Sequence, residues 1–288
     1  MLSKEQGKRN VIDYFLKRES RWGYTLLLRG IKHFGYYPPG QENISMVRAQ
    51  RFMMAKVCEA LDLQKDSLVL DAGCGEGATS LWMARYGSLR VHGVDLLDTS
   101  IKKAKRRASR IGLPDGRVRF SVMDYSELYF PDETFDGVFT LETLVHAYDF
   151  RKTLAEFHRV LKKGGRIALF EYSIPPVDAV ALSEGQKRMA ELIVRKSAMH
   201  SLPSFTHDSF PKILTEVGFD NISTQDVTSR ILPMLKRFYQ LAYVPYQIIR
   251  ALGLEERFVN TTAGYECYKN VRKNPAYFRY NIVTANKK

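Results

Sequence analysis

Asp71, Gly73, Gly75 and Gly77 stand between an apolar run, Val69-Leu70, and a helical pattern with Ala78, Leu81, Trp82 and Ala84 at packing positions. Glycines let a backbone turn tightly and approach a ligand closely. The helix that follows presents unpaired N–H groups to polar parts of that ligand. The chemistry this suits is the holding of a nucleotide-like cofactor. Gly73-x-Gly75-x-x-Ala78 also fits the looser dinucleotide fingerprint. Asp71 weighs against that reading, because a carboxylate beside the loop repels a pyrophosphate. It suits a ligand with no phosphate and a positive amine, and S-adenosylmethionine is such a ligand. Four further acids lie where strands should end: Asp95, Asp124, Glu142 and Glu171. Asp95 is at the spacing, roughly 20 residues past the glycine turn, where an acid takes ribose hydroxyls.

These residues need a frame to bring them together. Arg90–Asp95, 118–124, 135–142 and 167–171 read as strands and alternate with helical stretches. Strands at 221–228 and 280–285 complete a seven-stranded set. The expected fold is α/β: a Rossmann-like, doubly wound, mostly parallel seven-stranded sheet. Ligands of such sheets bind at the carboxyl ends of the strands, where the five acids fall. Residues 1–62 lack a strand pattern and read as helices over 5–19, 21–32 and 43–62, interrupted by Pro38-Pro39-Gly40. We expect them to form a helical N-terminal cap on a core of 63–288. Helical insertions after the fifth and sixth strands, at about 174–205 and 229–278, should form a substrate lid; a plain hairpin between the last strands needs only a few residues.

With these motifs in hand, the chain resembles the class I S-adenosylmethionine-dependent methyltransferases over about residues 60–228. Asp71-x-Gly73-x-Gly75-x-Gly77 resembles motif I of that family, Asp95 its ribose-binding acid, and Asp124 with Tyr125 its adenine-contacting position. Phe135-Asp136-Gly137-Val138 and 159–165 resemble later motifs. The resemblance implies a cofactor site of Asp71, Gly73, Gly75, Gly77, Asp95, Leu96, Asp124, Tyr125 and Leu141. Residues 135–143 followed by His146-Ala147 resemble the sterol C-methyltransferase signature more narrowly. His33-Phe34-Gly35-Tyr36-Tyr37 is similar to the aromatic segment before the core in tocopherol- and sterol-type enzymes. Arg21-Trp22-Gly23-Tyr24 echoes the opening box of sterol enzymes only in part.

Composition sets bounds. A chain of 288 residues, 45% hydrophobic and 26% charged, can bury a sizeable core. Its formal charge of +13 is high. The run Lys102-Lys103-x-Lys105-Arg106-Arg107-x-x-Arg110 supplies part of it and reads as a solvated helix face. No nucleic-acid module accompanies it, so no nucleic-acid partner is expected. Peripheral contact with anionic lipid and homo-oligomerisation stay open. Cys58, Cys74 and Cys267 have no metal or disulfide spacing, and no metal is expected. The opening residues lack the apolar core of a signal peptide, and no stretch reaches the roughly 18 apolar residues of a membrane span. A cytoplasmic protein is expected.

The expected reaction is methyl transfer to a lipophilic small molecule such as a terpenoid, sterol or other secondary metabolite, at carbon. Transfer to nitrogen or oxygen, and an NAD-dependent oxidoreductase, remain alternatives. Transfer to an alkene carbon leaves a cation and then a proton to remove. Glu142 and His146, four apart just past the fourth strand, are the candidates for charge stabilisation and proton removal, and would share a face if a helix starts there. Tyr24, His33, Tyr36, Tyr37, Glu171, Tyr239, Tyr243 and Tyr246 are the candidate substrate wall.

Overall fold

The structure is a computed structural model that describes residues 3–176 and 182–288, without the side chains of Arg21, Trp22, Tyr24 and Leu26. In chain order the elements are α1 (Lys4–Leu16), α2 (Arg18–Leu28), α3 (Met46–Leu61), β1 (Leu68–Ala72), α4 (Ala78–Tyr86), β2 (Arg90–Asp95) and α5 (Asp98–Ile111). Then come β3 (Val118–Val122), β4 (Phe135–Leu141), α6 (Phe150–Val160), β5 (Leu161–Ser173), α7 (Glu184–Lys196), α8 (Phe210–Val217), β6 (Phe219–Asp226), α9 (Thr228–Ala251), α10 (Val259–Lys273) and β7 (Arg279–Lys287). The strands form one sheet in the order β3-β2-β1-β4-β5-β7-β6. Strands β1 to β5 pair in parallel, and β7 runs antiparallel to both β5 and β6. The seven-stranded, mostly parallel sheet expected from the sequence is therefore present. Its strand order reverses between β1 and β4, which places a crevice at their carboxyl ends.

Parallel strands covered on both faces read as continuous apolar runs. Val69 and Leu70 of β1 and Val138 and Phe139 of β4 are fully buried. Leu154, Phe157, Phe205 and Phe210 pack on one face; Met53, Val57, Ile231 and Leu235 pack on the other.

Local chemistry sets the helix bounds. Ser3 caps α1 through the Gln6 N–H, and Ser45 caps α3 through the Arg48 N–H. The expected helix over 21–32 ends at Leu28, because Arg29 and Gly30 take positive φ of 52° and 80°. The irregular stretch that follows brings Lys32, His33 and Phe34 over the strand ends. In the expected insertion at about 174–205 the helix is Glu184–Lys196, opened by a capping box of Ser183 and Gln186; 177–181 lie outside the described residues. The insertion before the last strand is α9 and α10. No helix among the described residues is long and apolar enough to cross a membrane.

Candidate active site

A cleft of about 160 Å³ lies at the carboxyl ends of β1, β2 and β4. Asp71, Gly73, Gly75, Asp95, Leu96, Asp124, Tyr125 and Leu141 all line it. The Asp95 carboxylate ties the loop after β1 to the turn after β2: its Oδ2 accepts the Gly75 N–H and its Oδ1 the Leu97 N–H, both at 2.9 Å. Gly75 has φ +54° and no atom within 4 Å of where a Cβ would stand, so its open side faces the cleft. Gly77 is a correction. It is absent from the lining, and a Cβ there would meet Phe120 at 2.7 Å and Ala104 at 2.9 Å. It lets the start of α4 pack closely, and the cleft lining resumes at Ala78 and Thr79.

The cleft suits a cation. Asp71 is buried and accepts from the Ser80 hydroxyl. Burial pushes its pKa up to about 7, and the Asp95 charge adds to the shift. Two acids pressed together in a cleft gain from a positive ligand that draws them back to the charged form. A test follows. The apo carboxyl of Asp71 must lose its proton to meet a cation, so affinity for S-adenosylmethionine should fall as pH drops below about 7, by up to about tenfold per unit for one coupled proton. Calorimetry in buffers of different ionisation heat measures both the affinity and the proton release. Affinity flat across that range would remove Asp71 from the binding site.

Helix α1 walls one side of the cleft through Lys4, Gly7, Lys8, Val11, Tyr14 and Phe15. Lys8 pairs with Asp124 at 2.8 Å, and Lys4 pairs with Glu127. On the other side, the Tyr14 hydroxyl donates to Asn260 Oδ1 (2.7 Å), and Glu19 accepts from the Asn260 and Thr261 N–H groups at 3.2 and 2.8 Å. α1 and α2 thus join the cofactor cleft to α10.

Next to the cleft is a chamber of about 840 Å³, lined mainly by apolar side chains from α2, α7, α9 and α10. The two share Tyr14, Lys32, His33, Glu142, Tyr172 and Met199. Glu142 sits at this junction with φ 60°. Its carboxyl accepts from the Phe34 N–H (2.6 Å), from the Tyr280 hydroxyl (2.9 Å) and from the Tyr172 hydroxyl. Burial raises its pKa to about 7. His146 lies on a short 3-10 turn, Leu144–His146, and not on an α-helix, so it shares no helix face with Glu142. Its Nδ1 donates to the Ala198 carbonyl at 3.0 Å, and its ring meets Phe15 and Tyr14. Burial pulls its pKa down to about 4, which leaves it neutral and a weak proton acceptor.

The remaining wall residues divide. His33 lines both cavities; its Nδ1 donates to the Phe34 carbonyl. The Tyr24 side chain lies outside the described residues. Five aromatic candidates are elsewhere. Tyr36 packs on the core with the Lys56 ammonium above its ring. Tyr37 is buried among Leu28, Ala49 and Met234. Tyr239, Tyr243 and Tyr246 stack with Tyr265 between α9 and α10, and the Tyr246 hydroxyl donates to Glu266. Glu171 accepts from the Thr143, Leu144 and Val145 N–H groups and braces that turn, away from the chamber. Its strand neighbour Tyr172, on the opposite face, is the one that reaches the junction. Tyr172, Lys32, Phe238 and Met199 line these cavities without having been singled out as wall residues from the sequence; the alternation of β5 is the available signal for the first. Among the described residues no group of His, Cys, Asp and Glu is placed to hold a metal.

A family profile described as a methyltransferase domain matches residues 70–169. The whole chain is similar to an S-adenosyl-L-methionine-dependent Diels-Alderase (iccD) of Talaromyces variabilis, 37% identical over 290 residues that cover 99% of this chain and 97% of that protein. The chain belongs to the class I S-adenosylmethionine-dependent methyltransferases. A sterol 24-C-methyltransferase of Neurospora crassa is 33% identical over 141 residues, 49% of this chain and 36% of its own. Among solved structures, the 4+2 cyclase SpnF superposes with a TM-score of 0.70 at 22% identity, covering 99% of this chain and 97% of that one. As a member of this family the protein is an enzyme, and its cofactor is S-adenosylmethionine. Asp71, Asp95, Leu96 and the open side of Gly75 fit that group, and Met123, Asp124 and Tyr125 line the same cleft.

Proposed function

We propose that this enzyme folds an extended lipophilic molecule in the 840 Å³ chamber and catalyses its intramolecular 4+2 cyclisation, with S-adenosylmethionine held alongside. The observation that carries the reading is the junction. Its ionisable groups are engaged with the protein itself: Glu142 by three donors, His33 by the Phe34 carbonyl, and the Lys32 ammonium over the Phe15 ring; His146, on the cleft side, is engaged by Ala198. Such a site offers shape and dryness more than proton transfer. The likeness to the Talaromyces Diels-Alderase supports it, because that likeness runs through the added helices that wall the chamber. The sterol enzyme matches only about half of the chain.

When bound, the cofactor supplies a sulfonium charge and a transferable methyl group. The chain's own part is to bring a diene and an alkene of one flexible molecule together. Holding both ends in one cavity removes much of the entropic barrier. Two carbon–carbon σ bonds form, three π bonds become one, and no proton or leaving group departs.

Glu142 favours a second reading, methyl transfer to carbon. A carboxyl with pKa about 7 beside two tyrosine hydroxyls is suited to accept the proton such a transfer releases. Product mass separates the two. The enzyme is incubated with S-adenosylmethionine and a synthetic linear polyene carrying a diene and a distal alkene. A product isomeric with the substrate, and no S-adenosylhomocysteine, is the expected result. A product heavier by one methylene, with matching S-adenosylhomocysteine, would establish methyl transfer and overturn cyclisation.

A further inference from the structure

We infer that the outer face of α9 is a docking surface for an anionic membrane, through which the chamber exchanges lipophilic molecules with the bilayer. The inference rests on the helix and is tested without turnover. α9 buries Ala242, Tyr246 and Ile249. On the flank beside that face, Leu241, Val244 and Ile248, with Leu252 just past the helix end, form one stripe. They are 51%, 65%, 59% and 64% exposed. Large apolar side chains exposed in a contiguous row mark an interaction surface.

Two observations choose a bilayer as the occupant. The first is charge. α9 carries Arg230, Lys236, Arg237 and Arg250 and no acidic residue along its 24 positions. Beyond its ends, Asp226 is paired with Arg279, Glu256 is paired with Arg195 and Lys196, and Glu255 is partly buried and followed two residues later by Arg257. Arg230 and Arg237 continue the line of the stripe toward the helix N-terminus, whereas Lys236 and Arg250 lie on other flanks. An apolar stripe in line with cations on a helix too polar to span is the pattern of an interfacial helix. Polybasic segments gain further from the negative surface potential of anionic lipid. The second is continuity with the chamber. Leu241 of the stripe and Pro245 beside it also line the chamber, and across from them so does Leu27 of α2, 46% exposed. The stripe therefore leads to the mouth of an apolar cavity. Seated on a bilayer, that mouth opens into hydrocarbon and spares the substrate a passage through water.

The test is co-sedimentation of the full chain with vesicles of phosphatidylcholine alone and of phosphatidylcholine with about one third phosphatidylserine. Wild type should bind the anionic vesicles, and bind the neutral ones about tenfold more weakly. The double variant Val244→Glu, Ile248→Glu changes neither cavity lining. It should bind anionic vesicles at least about tenfold more weakly than wild type, since two buried apolar contacts are replaced by charges facing lipid. Its unfolding midpoint and affinity for S-adenosylmethionine should stay those of wild type. A second variant, Arg230→Gln with Arg237→Gln, keeps the stripe and is compared at an unfolding midpoint measured alongside. It should weaken anionic binding about tenfold and leave neutral binding unchanged. Wild type that ignores anionic vesicles, or charge variants that bind them as wild type does, would overturn the inference. So would a wild-type dimer that the first variant converts to monomer, which would make this face an interface between copies.

Discussion

Replacing Glu142 by alanine should lower the stability of the enzyme by about 3–5 kcal/mol, because three buried donors then lose their acceptor together. Those donors are the Phe34 N–H and the hydroxyls of Tyr172 and Tyr280, from three separate parts of the chain. Urea unfolding of wild type and variant measures the loss. Glu142→Gln keeps an acceptor and removes the charge, so it should cost far less. It should also alter the pH profile. Glu142 has an ordinary pKa of 4.5 and a folded one of about 7, raised by burial. A raised acid favours the protonated folded state. Its contribution is therefore fully present below about pH 4.5 and is lost as pH rises through about 7, at about 1.4 kcal/mol per unit inside that window. Glu142→Gln should flatten the slope by that amount. An unchanged slope, or an alanine variant as stable as wild type, would mean that Glu142 is not the acceptor holding the junction.

The second large effect separates glycines that sequence alone treats alike. Gly73 has φ +90°, and a Cβ there would stand 2.7 Å from Thr143 Cγ2. Thr143 cannot retreat easily: its hydroxyl donates to the Ala72 carbonyl, and its own carbonyl accepts from Tyr125. Gly73→Ala should destabilise the fold by about 2–4 kcal/mol from strain and overpacking. Gly75→Ala meets open space. It should cost only about 1 kcal/mol of stability, yet weaken cofactor binding strongly because the added methyl stands on the ligand side. Thermal unfolding and calorimetry on both variants give a crossed pattern. Equal effects on stability would show that the loop adapts, and that Gly73 is not fixed by Thr143.

What could be read in advance follows the range of the interactions involved. The strand, glycine turn and helix over 68–86, and the acid closing β2, are set by neighbours in sequence, and the residues that line the cleft were legible from them. Asp71, Asp95, Leu96, Asp124, Tyr125 and Leu141 all reach the cleft. The chamber wall was not. An aromatic row at helical spacing looks the same whether it faces a cavity or another helix, and Tyr239, Tyr243 and Tyr246 face Tyr265 of α10. Glu171 and Tyr172 differ by one position and so by a whole face of the sheet. Which side holds the chamber depends on where α2, α9 and α10 dock, and no local pattern carries that. The role of α1 was equally hidden, because Lys8 and Asp124 meet only after the sheet has formed.

That helix has a kinetic consequence. α1 is fastened to Asp124 at one end of the cofactor cleft and, through Tyr14, to Asn260 beside the chamber. It is one bolt across two compartments, whereas the gap we propose between Leu27 of α2 and Leu241 of α9, both half exposed, borders the chamber and not the cleft. A catalyst that returns its cofactor unchanged can leave the bolt shut and trade only substrate and product through that gap. One that spends its methyl donor must draw the bolt every cycle. Cofactor residence time is then a ceiling on turnover for methyl transfer and carries no such meaning for cyclisation.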